Sequence, residues 1–261
     1  MIAGARSFLF VPGHRPDRFA KAAASGCDVV VLDLEDAVGP DQKASAREHV
    51  RAWLANGGEV VVRINGPGTP WFDDDLAAVA DHATAVMVPK AEDPAVPASI
   101  GTPVIPLIET ALGVTRAVEV CAAEGVVRPA FGSIDLAAQL GVDHHSHTAL
   151  QHARSAVVIA AAATGRAAPI DGVTTALEDP AVLRADLAHA IELGFTAKLC
   201  IHPRQVGPVH EACTPTAAEV EWAEGVLASA GDGSASVHKG QMVDRPVILR
   251  AQAILARAGA G

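Results

Sequence analysis

The sequence predicts an α/β fold: a closed (β/α)8 barrel, the TIM barrel, followed by a C-terminal helical extension. Eight short apolar runs recur at intervals of about 20 to 40 residues, with amphipathic stretches between them. Each run is apolar through its body and polar at its carboxyl end, which is typical of a buried parallel strand. A barrel of eight such units needs about 250 residues, and the chain has 261.

The polar residues that end the runs predict where the chemistry lies. In chain order the runs read RSFLFVP, DVVVLDLE, EVVVRIN, TAVMVPK, PVIPLIE, RPAFGSID, APIDG and AKLCIHP, and the seventh, at 168–170, has the weakest strand pattern. Active sites of such barrels occupy the rim formed by the carboxyl ends of the strands, so these terminal residues are candidate active-site residues. The fifth and sixth runs end on carboxylates, Glu109 and Asp135.

Helix signals fill the connections between the runs. Pro16 stands at an early helical position of the first connection, and Gly26 follows that helix. The second helix is predicted at about 42–56, and a Pro-interrupted connector precedes the fifth strand. Further barrel helices are expected at about 72–81, 111–124, 136–140, 150–165 and 180–193.

Two more helices are predicted after the eighth strand, at 216–229 and 242–258, with the Gly- and Ser-rich segment AGDGSASVHKG between them. They do not fit within eight βα units. We therefore expect a barrel domain over residues 1–212 and a helical extension over 213–261 that packs on the barrel or reaches a neighbouring subunit.

Composition excludes several classes of function. The formal net charge of −10 argues against nucleic-acid or anionic-membrane binding as the main role. No apolar stretch reaches about 18 residues, and the N-terminus shows no basic segment followed by an apolar one, so we expect no membrane partner and a cytoplasmic location. The four cysteines show no CxxC spacing and are expected to be reduced thiols.

Glu109 and Asp135 suggest a metal site. Neighbouring barrel strands lie about 4.8 Å apart, so carboxylates at their ends can converge on one ion. Two carboxylates, completed by water and substrate oxygens, are the usual protein share of an Mg²⁺ site. Each acid also precedes a predicted helix, so two unrelated helix N-caps are the alternative.

Two cations end the neighbouring strands. Arg63 can hold a carboxylate through two parallel hydrogen bonds, which Lys cannot reproduce. It can also pair with the acidic cluster at 33–36 on the strand before it, and both roles are compatible. Lys90 either forms a salt bridge at the rim or serves as a cation beside the substrate or the metal.

The ordered motifs resemble one family. They read RSFLFVPG, VVVLDLEDAV followed by KASAR, VVRING, VMVPK, PLIET, FGSIDLAAQLG, KLCIHPRQV and GQMVDRP. From Arg6 to about Arg250 the chain resembles the citrate lyase β-subunit (CitE-like) branch of the HpcH/HpaI aldolase superfamily. The resemblance implies an Mg²⁺-dependent lyase, with Mn²⁺ as the alternative ion. Such an enzyme cleaves or forms a 3-hydroxyacyl-CoA thioester, such as citramalyl-, malyl- or citryl-CoA, giving acetyl-CoA and a 2-oxo acid such as oxaloacetate.

The resemblance also implies roles for individual residues. Glu109 and Asp135 would bind the metal, with Glu109 also next to the substrate, and Arg63 would bind the oxo acid as a catalytic residue. Asp33, Glu35 and Asp36 would orient Arg63 and metal-bound water, with Glu35 and Asp36 counted in the catalytic centre. Arg6, Gly132 and Ser133 are expected to contact the substrate. Pro12, Gly13 and Lys21 are expected to contact the CoA moiety.

Asp244, in GQMVDRP, has the most distant predicted role. In malyl-CoA lyase relatives an Asp from the C-terminal segment of a neighbouring subunit exchanges the proton of the acetyl thioester enolate, and Asp244 matches that Asp. The resemblance thus implies a homo-oligomer, a trimer or a hexamer, and leaves open whether citrate lyase partner subunits exist. From the residues alone, Asp244 is a helix N-cap.

A histidine-rich segment and several rim residues are left with open roles. The segment Asp143-His144-His145-Ser146-His147 is either a zinc site or, as we expect, a solvated loop. His202 either bonds to the rim or touches substrate. The roles of His14, Lys90 and Asp171 are also open.

Other functions are alternatives to the lyase. A 2-keto-acid aldolase is disfavoured by the RSFLFVPG start and the GQMVDRP tail. An acyl-CoA thioesterase or a malate-synthase-like enzyme is compatible with the same residues, as is an acyl-carrier thioester in place of free CoA. A silent barrel that serves as an interaction subunit is disfavoured by the intact set of Arg63, Glu109 and Asp135.

Overall fold

The computed structural model describes residues 2–230, 236–238 and 240–259. Eight parallel strands close into a barrel in chain order, and the last pairs with the first. They are β1 (Ser7–Pro12), β2 (Val29–Asp33), β3 (Val61–Arg63), β4 (Ala85–Val88), β5 (Val104–Ile108), β6 (Ala130–Phe131), β7 (Ile170–Asp171) and β8 (Ala197–Cys200). The predicted (β/α)8 barrel is confirmed.

Helices surround the barrel on the outside of the strands. They are α1 (Phe19–Ala23), α2 (Lys43–Ala55), α3 (Phe72–Val79), α4 (Ala95–Ile100), α5 (Ala111–Thr115), α6 (Ala117–Ala122), α7 (Ser133–Leu140), α8 (His147–Ala163), α9 (Pro180–Leu193) and α10 (Val206–Cys213). Short 3-10 turns precede three of them, at Pro16–Arg18, Pro40–Gln42 and Pro203–Gln205. None of the helices in the described ranges has the length and hydrophobicity to cross a membrane.

Apolar side chains fill the barrel interior and pack the helices against its outer face. The interior holds Phe8, Val31, Val61, Ala85, Met87, Ile105, Leu107, Ala130, Ile170, Ala197 and Leu199, all buried. A second layer between the strands and the helices includes Ile108, Phe131, Leu136, Leu150, Val157 and Phe195. Because the interior is a packed core and not a pore, ligands have access only at the rims.

The sixth βα unit differs from the expectation. β6 ends at Phe131, and Gly132, whose N–H donates to the Ile108 carbonyl over 3.0 Å, is the N-cap of α7. Asp135 therefore lies in the first turn of α7, and the prediction that it ends a strand is wrong. A short polar segment after a buried strand starts a helix here, and an acidic side chain is favourable in a first helical turn.

Two connections also contain helices that the sequence pattern obscures. The Pro-interrupted connector holds α4, since Pro97 lies in its first turn, where proline is tolerated. The predicted helix at 111–124 is split into α5 and α6 at Arg116, after the β-branched pair Val114 and Thr115.

The chain divides into two compact units, residues 1–209 and 210–261. The second unit contains α11 (Ala217–Ser229), the antiparallel pair β9 (Ser236–His238) and β10 (Gln241–Val243), and α12 (Arg245–Ala258). Its apolar centre consists of Ala223, Val226, Val243, Ala251 and Ile254. Both predicted helices are present, and the hairpin lies in the Gly- and Ser-rich segment and the three residues after it.

Candidate active site

Arg63 is held at the rim by the strand beside it. In the register of the parallel sheet Asp33 pairs with Arg63, and Nε and Nη2 of the guanidinium each donate to one Asp33 oxygen over 2.7 Å. The ring of Phe10 lies 4.7 Å from the guanidinium carbon. Burial alone would raise the pKa of Asp33, but the charge and hydrogen bonds of Arg63 outweigh it and hold that pKa below its usual range. The predicted ion pair is thus present.

Glu35 lies between Arg63 and Lys90 and contacts both. Its Oε2 lies 3.0 Å from Arg63 Nη1, whereas the exposed Asp36 lies 3.9 Å from the same nitrogen. The backbone under Glu35 is fixed by the buried Lys43, whose Nζ donates to the carbonyls of Leu34 and Glu35 over 2.8 Å each. Burial raises the pKa of Glu35, although the charge of Arg63 opposes the shift.

The ammonium of Lys90 lies within 4.0 Å of three carboxylates. Its Nζ donates to Glu35 Oε1 over 2.6 Å and lies 3.4 Å from Asp135 Oδ2 and 4.0 Å from Glu109 Oε1. Burial alone would lower the pKa of Lys90, but the hydrogen bond and charge of Glu35, with the charge of Glu109, raise it overall. The rim salt bridge is therefore present, and it includes both candidate metal ligands.

Glu109 follows β5 directly and is buried. Its Oε1 accepts the backbone N–H of Lys90 over 2.9 Å. Gly132 lies against it so closely that a Cβ there would overlap the Glu109 side chain, so only glycine fits this position. Burial is the largest cause that raises the pKa of Glu109, to about 8, and the charges of Glu35 and Asp135 add to it. A buried carboxylate between like charges favours a cation beside it.

A cavity of about 240 Å³ opens over these residues. Its polar wall is formed by Arg63, Glu109, Ser133 and Asp135, and its apolar wall by Phe10, Leu107, Phe131, Ile134, Val173, Leu199 and Ile201. Gly132, Asp33 and Asp36 also line it. Charged groups that converge in a small, partly apolar cavity are typical of a site for a small polar ligand.

The donor set fits a hard divalent cation. Glu109 and Asp135 approach the same ammonium, and both offer oxygen atoms, which Mg²⁺ prefers. Five carboxyl groups, those of Asp33, Glu35, Asp36, Glu109 and Asp135, lie near three cations, Arg63, Lys90 and Lys43. The surplus of negative charge favours a dication over a neutral ligand.

Comparisons with known proteins identify the family of this chain. The sequence model of the HpcH/HpaI aldolase/citrate lyase family matches residues 6–101 and 97–203. The chain belongs to this family. It is 41% identical over 266 residues to a citrate lyase subunit beta-like protein of Mycobacterium tuberculosis, covering 98% of this chain and 97% of the relative. This similarity confirms the resemblance that the motifs indicate.

Further members of the HpcH/HpaI family show the range of related proteins. A (3S)-malyl-CoA thioesterase of Cereibacter sphaeroides is 35% identical, covering 98% of this chain and 95% of the relative. The crystal structure of the CitE protein of Mycobacterium tuberculosis in complex with magnesium, acetoacetate and coenzyme A has a TM-score of 0.86 and 39% identity. The match covers 98% of this chain and 99% of that one.

Arg6, a predicted substrate contact, lies away from the cavity. Arg6 precedes β1 and contacts Asp28, which precedes β2, so it stands at the amino-terminal end of the barrel. The structure does not bring Arg6 to the rim, and a substrate contact there is not proposed further. Asp244 lies in the second unit, where its Oδ1 accepts the backbone N–H of Val247 over 3.3 Å as the N-cap of α12.

The predicted CoA contacts lie near a separate groove. Pro12 and Lys21 line a cavity of about 540 Å³ at the carboxyl ends of β1 and β8, together with Arg15, Arg18 and His202. Gly13 is buried, donates its N–H to the Asp33 carbonyl over 2.7 Å and leaves no space for a Cβ. Its role is therefore close packing of the first rim loop against β2.

His202, His144 and His147 have structural partners. His202 is the N-cap of the 3-10 turn Pro203–Gln205. His144 and His145 lie beside Asp143, with one possible ligand atom from each within 4.8 Å, whereas His147 lies on α8 and bonds to Asp186 over 2.8 Å. The five-residue segment is thus divided between a loop and a helix.

Asp171 ends β7 and is enclosed by two cations. It accepts hydrogen bonds from Lys198 Nζ over 2.7 Å and from Arg154 Nε over 3.0 Å, and all three side chains are buried. Sequence reasoning did not single out Arg154, Lys198 or Lys43. Lys198 was detectable as a charge inside the apolar run AKLC, but Lys43 and Arg154 lie on helices, where charged residues are ordinary.

Proposed function

We propose that the chain is an Mg²⁺-dependent carbon–carbon lyase that cleaves or forms a 3-hydroxyacyl-CoA thioester such as citramalyl-, malyl- or citryl-CoA. The products of cleavage are acetyl-CoA and a 2-oxo acid. The observation that carries the proposal is the approach of Glu109 and Asp135 to one cation position beside Arg63. Magnesium and coenzyme A in the related CitE structure support the choice of ion and of thioester.

Glu109 and Asp135 would hold the ion. Glu109 is kept in place by the Lys90 N–H and by Gly132, so it is a rigid ligand, whereas Asp135 is partly exposed and can adjust. When bound, Mg²⁺ supplies Lewis-acid stabilisation of the negative charge that develops on the substrate oxygen. Because the protein would contribute only two carboxylates, the ion would keep positions for substrate and water.

Arg63 would hold the carboxylate of the oxo acid. A guanidinium has five N–H donors. Asp33 accepts two of them, through Nε and Nη2, and Glu35 faces Nη1. One N–H on each Nη atom is left for a ligand. The substrate carboxylate would therefore meet the outer edge of the guanidinium, in an orientation that Asp33 determines.

Cleavage needs two proton transfers that balance. The bond between the hydroxyl-bearing carbon and the carbon next to the thioester breaks, the hydroxyl loses its proton, and the acetyl enolate gains one. Asp244, supplied by a neighbouring subunit of a homo-oligomer, would be the acid that protonates the enolate and the base in the reverse direction. Its side chain is exposed at the start of α12.

The CoA moiety would lie along the groove of about 540 Å³ at the ends of β1 and β8. Lys21, Arg15 and Arg18 line it, and their charges suit the phosphates of CoA. The groove and the smaller cavity share Phe10 and Ile201, so a thioester bound in the groove has a continuous path to Arg63.

One assay tests the proposal. Purified protein receives citramalyl-, malyl- or citryl-CoA with Mg²⁺ or with EDTA, while acetyl-CoA, 2-oxo acid and free thiol are followed. We expect Mg²⁺-dependent release of acetyl-CoA that disappears in Asp135→Ala and persists in Asp143→Ala, an exposed acid outside the cavity. No turnover of any thioester, with no Mg²⁺ binding, would overturn the proposal.

A second candidate is thioester hydrolysis, alone or after condensation as in a malate-synthase-like reaction. The similarity to a (3S)-malyl-CoA thioesterase favours it as the alternative. The same assay separates the two, because hydrolysis releases free CoA whereas the lyase releases acetyl-CoA and oxo acid.

A further inference from the structure

The ammonium of Lys90 shares its carboxylate partners with the proposed metal. Its Nζ lies 3.4 Å from Asp135 Oδ2 and 4.0 Å from Glu109 Oε1. An ion held by both carboxylates would compete with this ammonium for the same oxygen atoms. The shortest contact of the Lys90 ammonium is with Glu35 Oε1, at 2.6 Å. The ammonium can therefore stay bound to Glu35 when it moves away from Glu109 and Asp135.

The backbone of Lys90 is specialised for this position. Among the described residues, Lys90 is the only one with a side chain whose φ is positive, at +49°. This left-handed conformation is unfavourable for a residue with a Cβ and persists where the surrounding structure enforces it. It directs the N–H of Lys90 to Glu109 Oε1. Lys90 therefore contacts Glu109 twice: its backbone N–H donates a hydrogen bond to the carboxylate, and its ammonium lies near the same oxygen.

We propose that Lys90 is a resident counter-cation that holds Glu109 and Asp135 together in the metal-free protein, and that Mg²⁺ displaces it from these two carboxylates onto Glu35. Lys90 is thus a positioning residue that lowers the affinity of the site for Mg²⁺ and keeps its ligands arranged without the ion. The inference rests on the proposed function, since it takes Glu109 and Asp135 as the magnesium ligands.

Charge and space both support an exchange of this kind. The Lys90 side chain is 45% exposed, so it has room to move away from the two carboxylates when a dication binds. A cavity of about 490 Å³ lies beside it, lined also by Glu35, Glu92 and Asp93. The ammonium can therefore turn toward acidic neighbours as it leaves the metal ligands.

The decisive experiment measures Mg²⁺ affinity by isothermal titration calorimetry at pH 9, in wild type, Lys90→Met, Lys90→Arg and Arg51→Met. Removal of one positive charge about 4 Å from the ligand oxygens should tighten binding on the order of 10- to 100-fold in Lys90→Met. Lys90→Arg keeps the charge and should bind nearly as weakly as wild type. Arg51→Met removes an exposed charge on α2, paired with Glu48, and should change nothing.

The outcomes separate the two proposals. Unchanged or weaker binding in Lys90→Met would overturn the role of Lys90 while leaving the metal site in place. Absence of Mg²⁺ binding in wild type would overturn both. Methionine meets the same backbone conformation as lysine, so the substitution adds no strain at φ +49°.

A second measurement uses the unmutated protein. Acetylation of lysines by an amine-reactive ester, read by peptide mass spectrometry, reports how strongly carboxylates hold each ammonium. Lys90 should be labelled several-fold faster when Mg²⁺ is bound, because two of its three carboxylate partners are then occupied, while Lys198, buried with Asp171, stays unlabelled in both states. Mg²⁺ that binds without a change in Lys90 labelling would contradict the exchange.

Discussion

Asp33 and Arg63 stand opposite each other in the register of β2 and β3, and the two oxygens of Asp33 each accept one guanidinium hydrogen bond of 2.7 Å. Two parallel bonds fix the plane of the guanidinium as well as its position. The pair is nearly closed to solvent, so its geometry is not weakened by water. Arg63 thus presents its remaining N–H groups to the cavity in one orientation.

Arg63→Lys should remove this orientation while keeping a positive charge. A point charge on a flexible chain cannot bond both oxygens of Asp33 and still hold a second carboxylate. We expect kcat/KM of the lyase reaction to fall on the order of 100-fold, and KM for the oxo acid to rise in the condensation direction. Steady-state kinetics in both directions measure this.

Arg47→Lys is the matched control, because Arg47 pairs with Asp74 and Asp75 on the outside of the barrel. It should leave kcat/KM close to that of wild type. An equal loss of activity in both variants would indicate a general effect on folding and would contradict the role of Arg63.

Gly132→Ala should damage the metal site without changing any charged group. The added Cβ would overlap the Glu109 side chain, which then has to move away from Lys90 and Asp135. We expect Mg²⁺ affinity and lyase activity both to fall at least tenfold. Gly207→Ala, a site with open space on α10, should keep both, and calorimetry of the two variants compares them.

The strand rhythm and the residues at strand ends could be predicted from the sequence because both follow from one-dimensional patterns. The apolar runs with polar ends correctly predicted that Arg63 lies at the end of β3 and that Glu109 follows β5. Asp135 was predicted at a strand end, but β6 ends at Phe131 and Asp135 lies in the helix that begins after Gly132. In the sequence, a two-residue strand followed directly by a helix resembles one longer apolar run. The type of element was wrong there, although the carboxylate still lies next to Lys90.

Mg²⁺ should stabilise the folded protein through Glu109 and Asp135. A ligand that binds only the native state at 100 times its dissociation constant adds about 2.7 kcal/mol, enough to raise Tm by a few degrees. Differential scanning calorimetry with Mg²⁺ and with EDTA measures the shift. Asp135→Asn should abolish the shift and Asp143→Asn should retain it. An undiminished shift in Asp135→Asn would place the bound ion elsewhere.

Asp171 should make the barrel sensitive to acid. Burial opposes its ionised form, but the charges and hydrogen bonds of Lys198 and Arg154 outweigh it and lower the pKa of Asp171 in the folded state. A native pKa below the unfolded value means that the stabilisation is complete above the unfolded pKa, about 3.9, and is lost as pH falls through the native value.

Asp171→Asn should therefore cost about 3–5 kcal/mol at pH 7, because two buried cations lose their anion. The difference in the free energy of unfolding between wild type and Asp171→Asn should shrink below about pH 4. Urea denaturation at pH 7 and pH 3.5 tests both statements. Asp179→Asn, an exposed helix cap, provides the comparison, and a pH-independent difference for Asp171→Asn would contradict the assigned direction of its pKa shift.

The network beneath the rim could not be read from the sequence, since its members are far apart in the chain and ordinary in their local setting. Lys43 is a helix residue that happens to reach the carbonyls of Leu34 and Glu35. The motif VMVPK does not indicate the left-handed backbone conformation of Lys90 either. Such contacts depend on side-chain directions in three dimensions, which a pattern of apolar and polar residues does not contain.

Asp244 is the residue whose proposed role depends on assembly, and subunit mixing tests it. Arg63→Ala and Asp244→Ala should each be inactive alone. If a site combines Arg63 of one subunit with Asp244 of another, co-expressed mixtures contain sites with neither substitution, and mixed trimers or hexamers should recover about a quarter to a third of wild-type activity. Separately tagged chains, purified through both tags, provide the mixed oligomers. Mixtures that contain both chains yet show no activity would place the proton-transfer group within a single subunit or on another residue.

A mixture of Arg63→Ala with Asp135→Ala is the control: both residues belong to one barrel, and intact sites cannot form from these two chains.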